Sequence, residues 1–183
     1  MRLNWKNPNI VRARVIVLTA TVTFATVFLV CQLFGIRLNP TASLPPGLYR
    51  IVGTDADSDL VAFCPSGAAE RDSILRGYRP RGMQCPDHYA PIMKPIAARP
   101  GDRITVTRKA ILVNGTPLPN TQQFTKDNQQ RPMNPWPEGT YTVAPGTLWV
   151  VSTYNKYSFD SRYYGPIYAS QVIAHVKPLW TTK

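Results

Sequence analysis

The chain reads as a mainly β fold of short strands and long loops behind one N-terminal transmembrane helix. Three observations lead there. Val15 to Ile36 carries no charged residue and is rich in Val, Leu, Ile and Phe. Beyond it, short β-branched and aromatic runs alternate with clusters of Gly, Pro, Asn and Asp. No internal repeat and no long amphipathic helical period follows.

As a helix rising about 1.5 Å per residue, the apolar run crosses the roughly 30 Å hydrocarbon core of a bilayer. Arg2, Lys6, Arg12 and Arg14 precede it, and no acid appears before Asp55. This flanking bias puts residues 1–14 in the cytoplasm, spans the membrane with 15–36, and leaves 37–183 outside as one β-rich domain. A cleavable signal peptide is the rival reading, since Thr41 and Ser43 are small enough to flank a cut. Its apolar region is typically about 7–15 residues, shorter than this one, which favours a retained anchor.

The outer region supplies strand candidates in order. Tyr49–Val52 and Asp59–Phe63 flank the turn cluster Gly53–Ser58. Residues 64–87 hold Pro, Gly and Arg with one short helix near Ala68–Leu75. Tyr89–Ala98 is apolar except for Lys94. Pro100-Gly101-Asp102 is a turn, Arg103–Arg108 alternates like a half-buried strand, and Ala110–Val113 ends at Asn114-Gly115, a strong tight-turn signal. Asn120–Gly139 is polar and proline-punctuated and is expected to be a long loop. Thr140–Val143 and Leu148–Val151 make another strand pair around Pro145-Gly146, and Ile167–Val176 is a mixed final segment.

The 183 residues contain 21 Lys and Arg against 10 Asp and Glu, a net charge of +11. The surplus is diffuse, with no basic helix or aromatic-interleaved patch, so nucleic acid is not the indicated partner. Attraction to anionic lipid headgroups and a merely solvated basic surface both fit it. Of the three cysteines, Cys31 lies in the span as a small apolar side chain. Cys64 and Cys85 lie outside, where an oxidising compartment permits a disulfide. No CxxC and no Cys/His cluster accompanies them, so no metal or other cofactor is indicated, and His88 and His175 are read as structural or solvated.

Three stretches hold chemistry. Thr41-Ala-Ser-Leu-Pro-Pro-Gly-Leu-Tyr49 places Ser43 in an extended, turn-bound segment just past the span, because each proline fixes φ and pushes its predecessor away from helix. Such a serine is either a turn former or a nucleophile. Lys94 sits in Pro91-Ile-Met-Lys-Pro-Ile-Ala-Ala98, either snorkelling or desolvated. A desolvated, neutral amine takes the proton of a serine hydroxyl and returns it to a leaving amine. In Ser158-Phe-Asp-Ser-Arg-Tyr-Tyr-Gly-Pro166, Asp160 and Arg162 are either an ordinary surface ion pair or a brace for a loop in which Ser158 orients the lysine.

Together these stretches resemble bacterial type I signal peptidases, and most closely their conjugative-transfer relatives of the TraF type. The nucleophile box Ser-Met-x-Pro of that family is matched by Ser43-Leu44-Pro45-Pro46 with Gly47-Leu48-Tyr49 behind it. A lysine six residues before Pro-Gly-Asp is matched by Lys94 and Pro100-Gly101-Asp102. The final Ser-x-Asp-Ser-Arg-Tyr-x-Gly is matched by Ser158 through Gly165. The likeness spans residue 15 to about 170. It departs from most signal peptidases at Pro95 (Arg there), at Ala98 (Gly there) and at Ser152-Thr153-Tyr154, where the family has Gly-Asp-Asn.

The resemblance implies a signal-peptidase-like β-fold and a membrane-bound serine endopeptidase, with Ser43 as nucleophile and Lys94 as general base. It implies Ser158 orienting the lysine, Asp160 and Arg162 as a supporting ion pair, and Thr41 supplying a hydroxyl to the oxyanion hole. It places the catalytic domain in the periplasm, anchored by a single pass in the inner membrane. The implied partners are membrane lipid and a protein substrate: a propilin of conjugative pilus biogenesis, cleaved and in some relatives joined into a ring. A general signal peptidase acting on many preproteins, and a non-catalytic anchored β-domain of a secretion assembly, are the alternatives.

Overall fold

The computed structural model describes residues 8–39, 43–53 and 58–182. Helix α1 (Pro8–Leu33) is apolar enough to cross a membrane, with a mean hydropathy of 2.1 over its most apolar window and no residue buried against the rest of the protein. It begins earlier than the uncharged run suggested, because Pro8 suits a first helical turn and Arg12 and Arg14 are good helix formers. It also ends sooner. The apolar run continues to Ile36, but Ile36 pairs with Arg50 in a sheet, so cross-strand bonding claims the last residues of the run. The hydroxyls of Thr19, Thr21 and Thr26 donate to carbonyls four residues back, which keeps these polar groups satisfied along an apolar helix.

Eleven strands follow among the described residues: β1 (Ile36–Asn39), β2 (Gly47–Gly53), β3 (Leu60–Phe63), β4 (Ile92–Ala98), β5 (Arg103–Val106), β6 (Ile111–Val113), β7 (Thr116–Pro117), β8 (Gly139–Thr142), β9 (Thr147–Val150), β10 (Ile167–Tyr168) and β11 (Val172–Thr181). Two short helices interrupt them, α2 (Gly67–Leu75) and α3 (Ser161–Tyr164). A seven-stranded antiparallel sheet has the order β1-β2-β11-β3-β4-β9-β10, and a four-stranded one the order β7-β6-β5-β8. The β5–β6 pair and the long loop between β7 and β8 fall where the sequence pointed. Thr140–Val143 and Leu148–Val151 do form strands but not a pair: β8 lies beside β5 and β9 between β4 and β10, because the Pro145-Gly146 turn hands the chain from the small sheet to the large one. Asn114 and Gly115 both take positive φ, as their tight turn requires.

The core has three parts. Leu44, Tyr49, Ala62, Ala174 and Val176 pack under β2, β11 and β3. Val61, Phe63, Leu148, Val150 and Ile167 fill the middle of the large sheet. Ala98, Ile104, Val106, Ile111, Val143, Trp149 and Val151 join the two sheets. The segment between β3 and β4 leaves the sheet as an excursion carrying α2, and Cys64 and Cys85 close it as a disulfide with Cα atoms 5.6 Å apart. Inside it Arg79, almost fully buried, donates to the Asp87 carboxylate and to the Ala90 carbonyl.

Candidate active site

The segment bearing Ser43 has few backbone donors of its own, since Pro45 and Pro46 lack an N–H. It is held instead through its carbonyls, four in succession. The Ser152 hydroxyl donates to the Ser43 carbonyl at 2.6 Å, Asn39 Nδ2 to Leu44 at 3.4 Å, the Tyr49 hydroxyl to Pro45 at 2.6 Å, and the Thr182 N–H to Pro46 at 3.0 Å. Leu44 is buried and points into the core. Gly47 follows where β2 passes tightly against β11. A Cβ there would collide with the Trp180 carbonyl and Thr181 Cα, so only glycine fits. Ser43 is thereby left half-buried with its hydroxyl facing β4.

Lys94 lies in β4 opposite Val61 and is 2% exposed. Its Nζ stands 2.6 Å from Ser43 Oγ and 2.6 Å from Ser158 Oγ. Burial pushes the amine down from 10.5 to about 8; Asp160 draws it back up and Arg162 pushes it further down. The snorkelling alternative is excluded, because the nitrogen is enclosed. Near pH 8 a large fraction is free amine, whose lone pair can accept the Ser43 hydroxyl proton while an N–H donates to Ser158.

The last loop supports this contact from behind. Asp160 caps α3 by accepting the Arg162 N–H, and Arg162 Nε and Nη2 each reach the carboxylate at 2.8 Å. Both side chains are 0% exposed, so the surface-pair alternative is excluded. Arg162 also donates to the carbonyls of Asn120, Gln122, Asn155, Lys156 and Ser158. Gly165, at φ +74, closes the loop against the Trp136 ring, where a Cβ would overlap it. Ser43, Lys94, Ser158, Asp160 and Arg162 are therefore brought together; Thr41 lies outside the described residues.

Ser152 was not among the residues singled out. It is fully buried, its hydroxyl meets the Ser43 carbonyl, and its N–H donates to Asp160 Oδ2 at 3.0 Å. The one signal pointing to it is the serine standing where the signal-peptidase pattern has glycine. Ser43 and Lys94 open onto a groove of about 320 Å³ walled by Tyr78, Met93, Tyr157 and Phe159. β9 begins pairing with β4 only at Ile96, so the Ile92–Lys94 edge facing the groove has no strand partner on that side among the described residues. No group of three or more potential metal-ligating side chains occurs among the described residues.

The chain belongs to the signal peptidase family, peptidase S26, whose model matches residues 9–180, and it is a peptidase. Within that family it is similar to plasmid and conjugal transfer proteins named TraF. The "Plasmid transfer protein TraF" of Escherichia coli is 33% identical over 151 residues, covering 81% of this chain and 85% of that protein. The "Probable conjugal transfer protein TraF" of Sinorhizobium fredii is 36% identical over 168 residues, covering 88% and 87%. The "Conjugal transfer protein TraF" of Agrobacterium fabrum is 34% identical over 151 residues, covering 80% and 83%. Among solved structures, a signal peptidase I of Enterococcus faecalis V583 aligns with a TM-score of 0.35 and 18% identity over 64% of this chain and 92% of that one.

Proposed function

We propose that this chain is a membrane-anchored serine endopeptidase with a Ser43–Lys94 dyad that matures a propilin during conjugative pilus biogenesis. The observation that carries the reading is the buried Lys94 amine, 2.6 Å from the Ser43 hydroxyl. Ser43 Oγ attacks the scissile carbonyl carbon and its proton passes to Lys94 Nζ. The C–N bond breaks, Nζ returns the proton to the departing amine, and the acyl group remains as an ester on Ser43. Water then hydrolyses the ester, or an amine of the same pilin attacks it and closes a ring. An extended substrate adds its main chain to the open Ile92–Lys94 edge, which lays its scissile bond beside Ser43.

The anchor suits a substrate emerging from the inner membrane, with residues 1–14 cytoplasmic, α1 across the bilayer and the remainder periplasmic. Lipid contact extends beyond the helix. Leu38, Leu48 and Trp180 are cross-strand neighbours in β1, β2 and β11, exposed at 69%, 38% and 64%, beside Arg50 and Lys177, which also face each other. An apolar row with an indole at its end and cations along one side fits the headgroup region of an anionic bilayer. Leu38 also lines the groove, so this face joins the membrane to the site.

The test is the intact mass of the pilin from cells carrying wild-type protein, Ser43→Ala or Lys94→Ala. The expected result is processed pilin with wild type and unaltered precursor with either variant, a loss of at least roughly 10³-fold in rate. A cyclic product is lighter than the cut linear one by one water. Normal processing by both variants overturns the dyad. Rescue of general preprotein processing by this chain overturns the pilin assignment.

A further inference from the structure

In the large sheet the strand leading from the Ser43 segment, β2, is separated from β4, which bears Lys94, by β11 and β3. No ladder hydrogen bond therefore sets the nucleophile against the base. The short distance between them has to be held by side chains that reach both: Leu44 and Met93 share one apolar cluster, and the buried Asp160–Arg162 pair reaches both through hydrogen bonds.

We propose that Ser152 is a positioning residue that ties Ser43 to the Asp160–Arg162 pair, so that one buried carboxylate–guanidinium unit registers nucleophile and base through two separate arms. The proposal rests on the Ser43–Lys94 reading above. The first arm runs from Asp160 Oδ2 to the Ser152 N–H at 3.0 Å, and from the Ser152 hydroxyl to the Ser43 carbonyl at 2.6 Å. The second runs from Arg162 Nη2 to the Ser158 carbonyl at 3.0 Å, and from Ser158 Oγ to Lys94 Nζ at 2.6 Å.

Anchoring the Ser43 carbonyl fixes the ψ of that residue and with it the direction of Cα–Cβ, so Oγ stays aimed at Nζ. The hydroxyl of Ser152 is itself immobilised, because it accepts from the N–H groups of Tyr154 and Asn155, both at 3.3 Å. With those acceptor positions taken, its one proton is committed to Ser43. A glycine at this position keeps the N–H arm to Asp160 and loses the link to the nucleophile, together with the acceptor for the Tyr154 and Asn155 N–H groups. Misplacing a reacting atom by a fraction of an ångström lowers the rate of the bound complex without weakening binding.

Steady-state cleavage of a peptide spanning the propilin cut site, by the full chain in detergent, tests this. Ser152→Ala and Ser152→Gly are expected to lower kcat about tenfold with KM unchanged and with the acid limb of the pH profile unmoved, since neither touches Lys94. Asp160→Ala, which removes both acceptor oxygens, lowers kcat further, and Ser152→Ala added to it costs little more, because the tie between Ser152 and the pair is already cut. Ser152→Ala combined with Ser158→Ala, which cut different arms, multiplies the two losses. Ser152→Cys, similar in volume and a weaker donor, falls between wild type and Ala. Wild-type kcat in Ser152→Ala overturns the assignment, as does a full multiplicative loss with Asp160→Ala or a kcat that follows Tm rather than donor strength. Ser43-independent cleavage by the wild-type chain overturns the dyad and this proposal together; Ser43-dependent cleavage with a silent Ser152→Ala overturns this proposal alone.

Discussion

Lys94 is where function and stability oppose each other most sharply. Its folded value of about 8 lies below the 10.5 of an exposed lysine. Between those values the unfolded chain holds more protons than the folded one, so stability rises with pH across that window. Below about pH 8 both states are protonated, and the fold bears the whole burial penalty, about 3 kcal/mol. Replacing the amine by a thioether of similar length removes the penalty. Lys94→Met is therefore expected to be inactive yet to melt several degrees higher at pH 7, with the gain shrinking as pH rises toward 10. Calorimetric scans at pH 7 and pH 10 check this; a Lys94→Met protein less stable than wild type at pH 7 would mean the lysine is held by favourable contacts and not against its solvation. Ser43, Lys94, Ser158, Asp160 and Arg162, which the structure brings together, stood out in the sequence because each lies in a short local pattern. Ser152 did not, since the hydroxyl that matters bonds to a carbonyl 109 residues away and nothing local marks that pairing.

At the scale of elements, legibility followed the strength of local signals. The Asn114-Gly115 hairpin was plain, because two positive φ angles demand that residue pair. The start of β1 was hidden by its apolar neighbours: Ile36 continues the run of α1 in composition and leaves it only in hydrogen bonding. β11 was seen only in part, since Lys177 and Pro178 break the alternation of a strand. Pro178 is tolerated beside a register shift between Pro178 and Trp180, where the missing N–H disturbs the ladder least. The consequence for function is direct. The far end of β11 is the part that packs against Gly47 and receives Pro46, so an element that looked like a trailing segment is what holds the Ser43 segment.

For the molecule as a whole, the chain leaves α1 and enters β1 through Phe34 and Gly35 alone, so a bilayer holding α1 would lie close to the domain. On the proposed anchoring the Leu38–Leu48–Trp180 row lies at the membrane, beside the groove that Leu38 also lines. Full-length protein reconstituted into vesicles with brominated lipid is expected to lose tryptophan fluorescence, and Trp180→Phe to lose a clear share of that quenching. Equal quenching in the two proteins would lift this face out of the membrane and leave α1 as the anchor by itself.

The central claim is that one lysine amine, beside one serine, gives up its proton near pH 8, far below an exposed lysine. Lysine side-chain NMR of the full chain in detergent, with Lys94 assigned by its loss in Lys94→Met, measures it directly. The account predicts a Lys94 titration midpoint near pH 8, well below the 10.5 of an exposed lysine. A midpoint above 10 would contradict it.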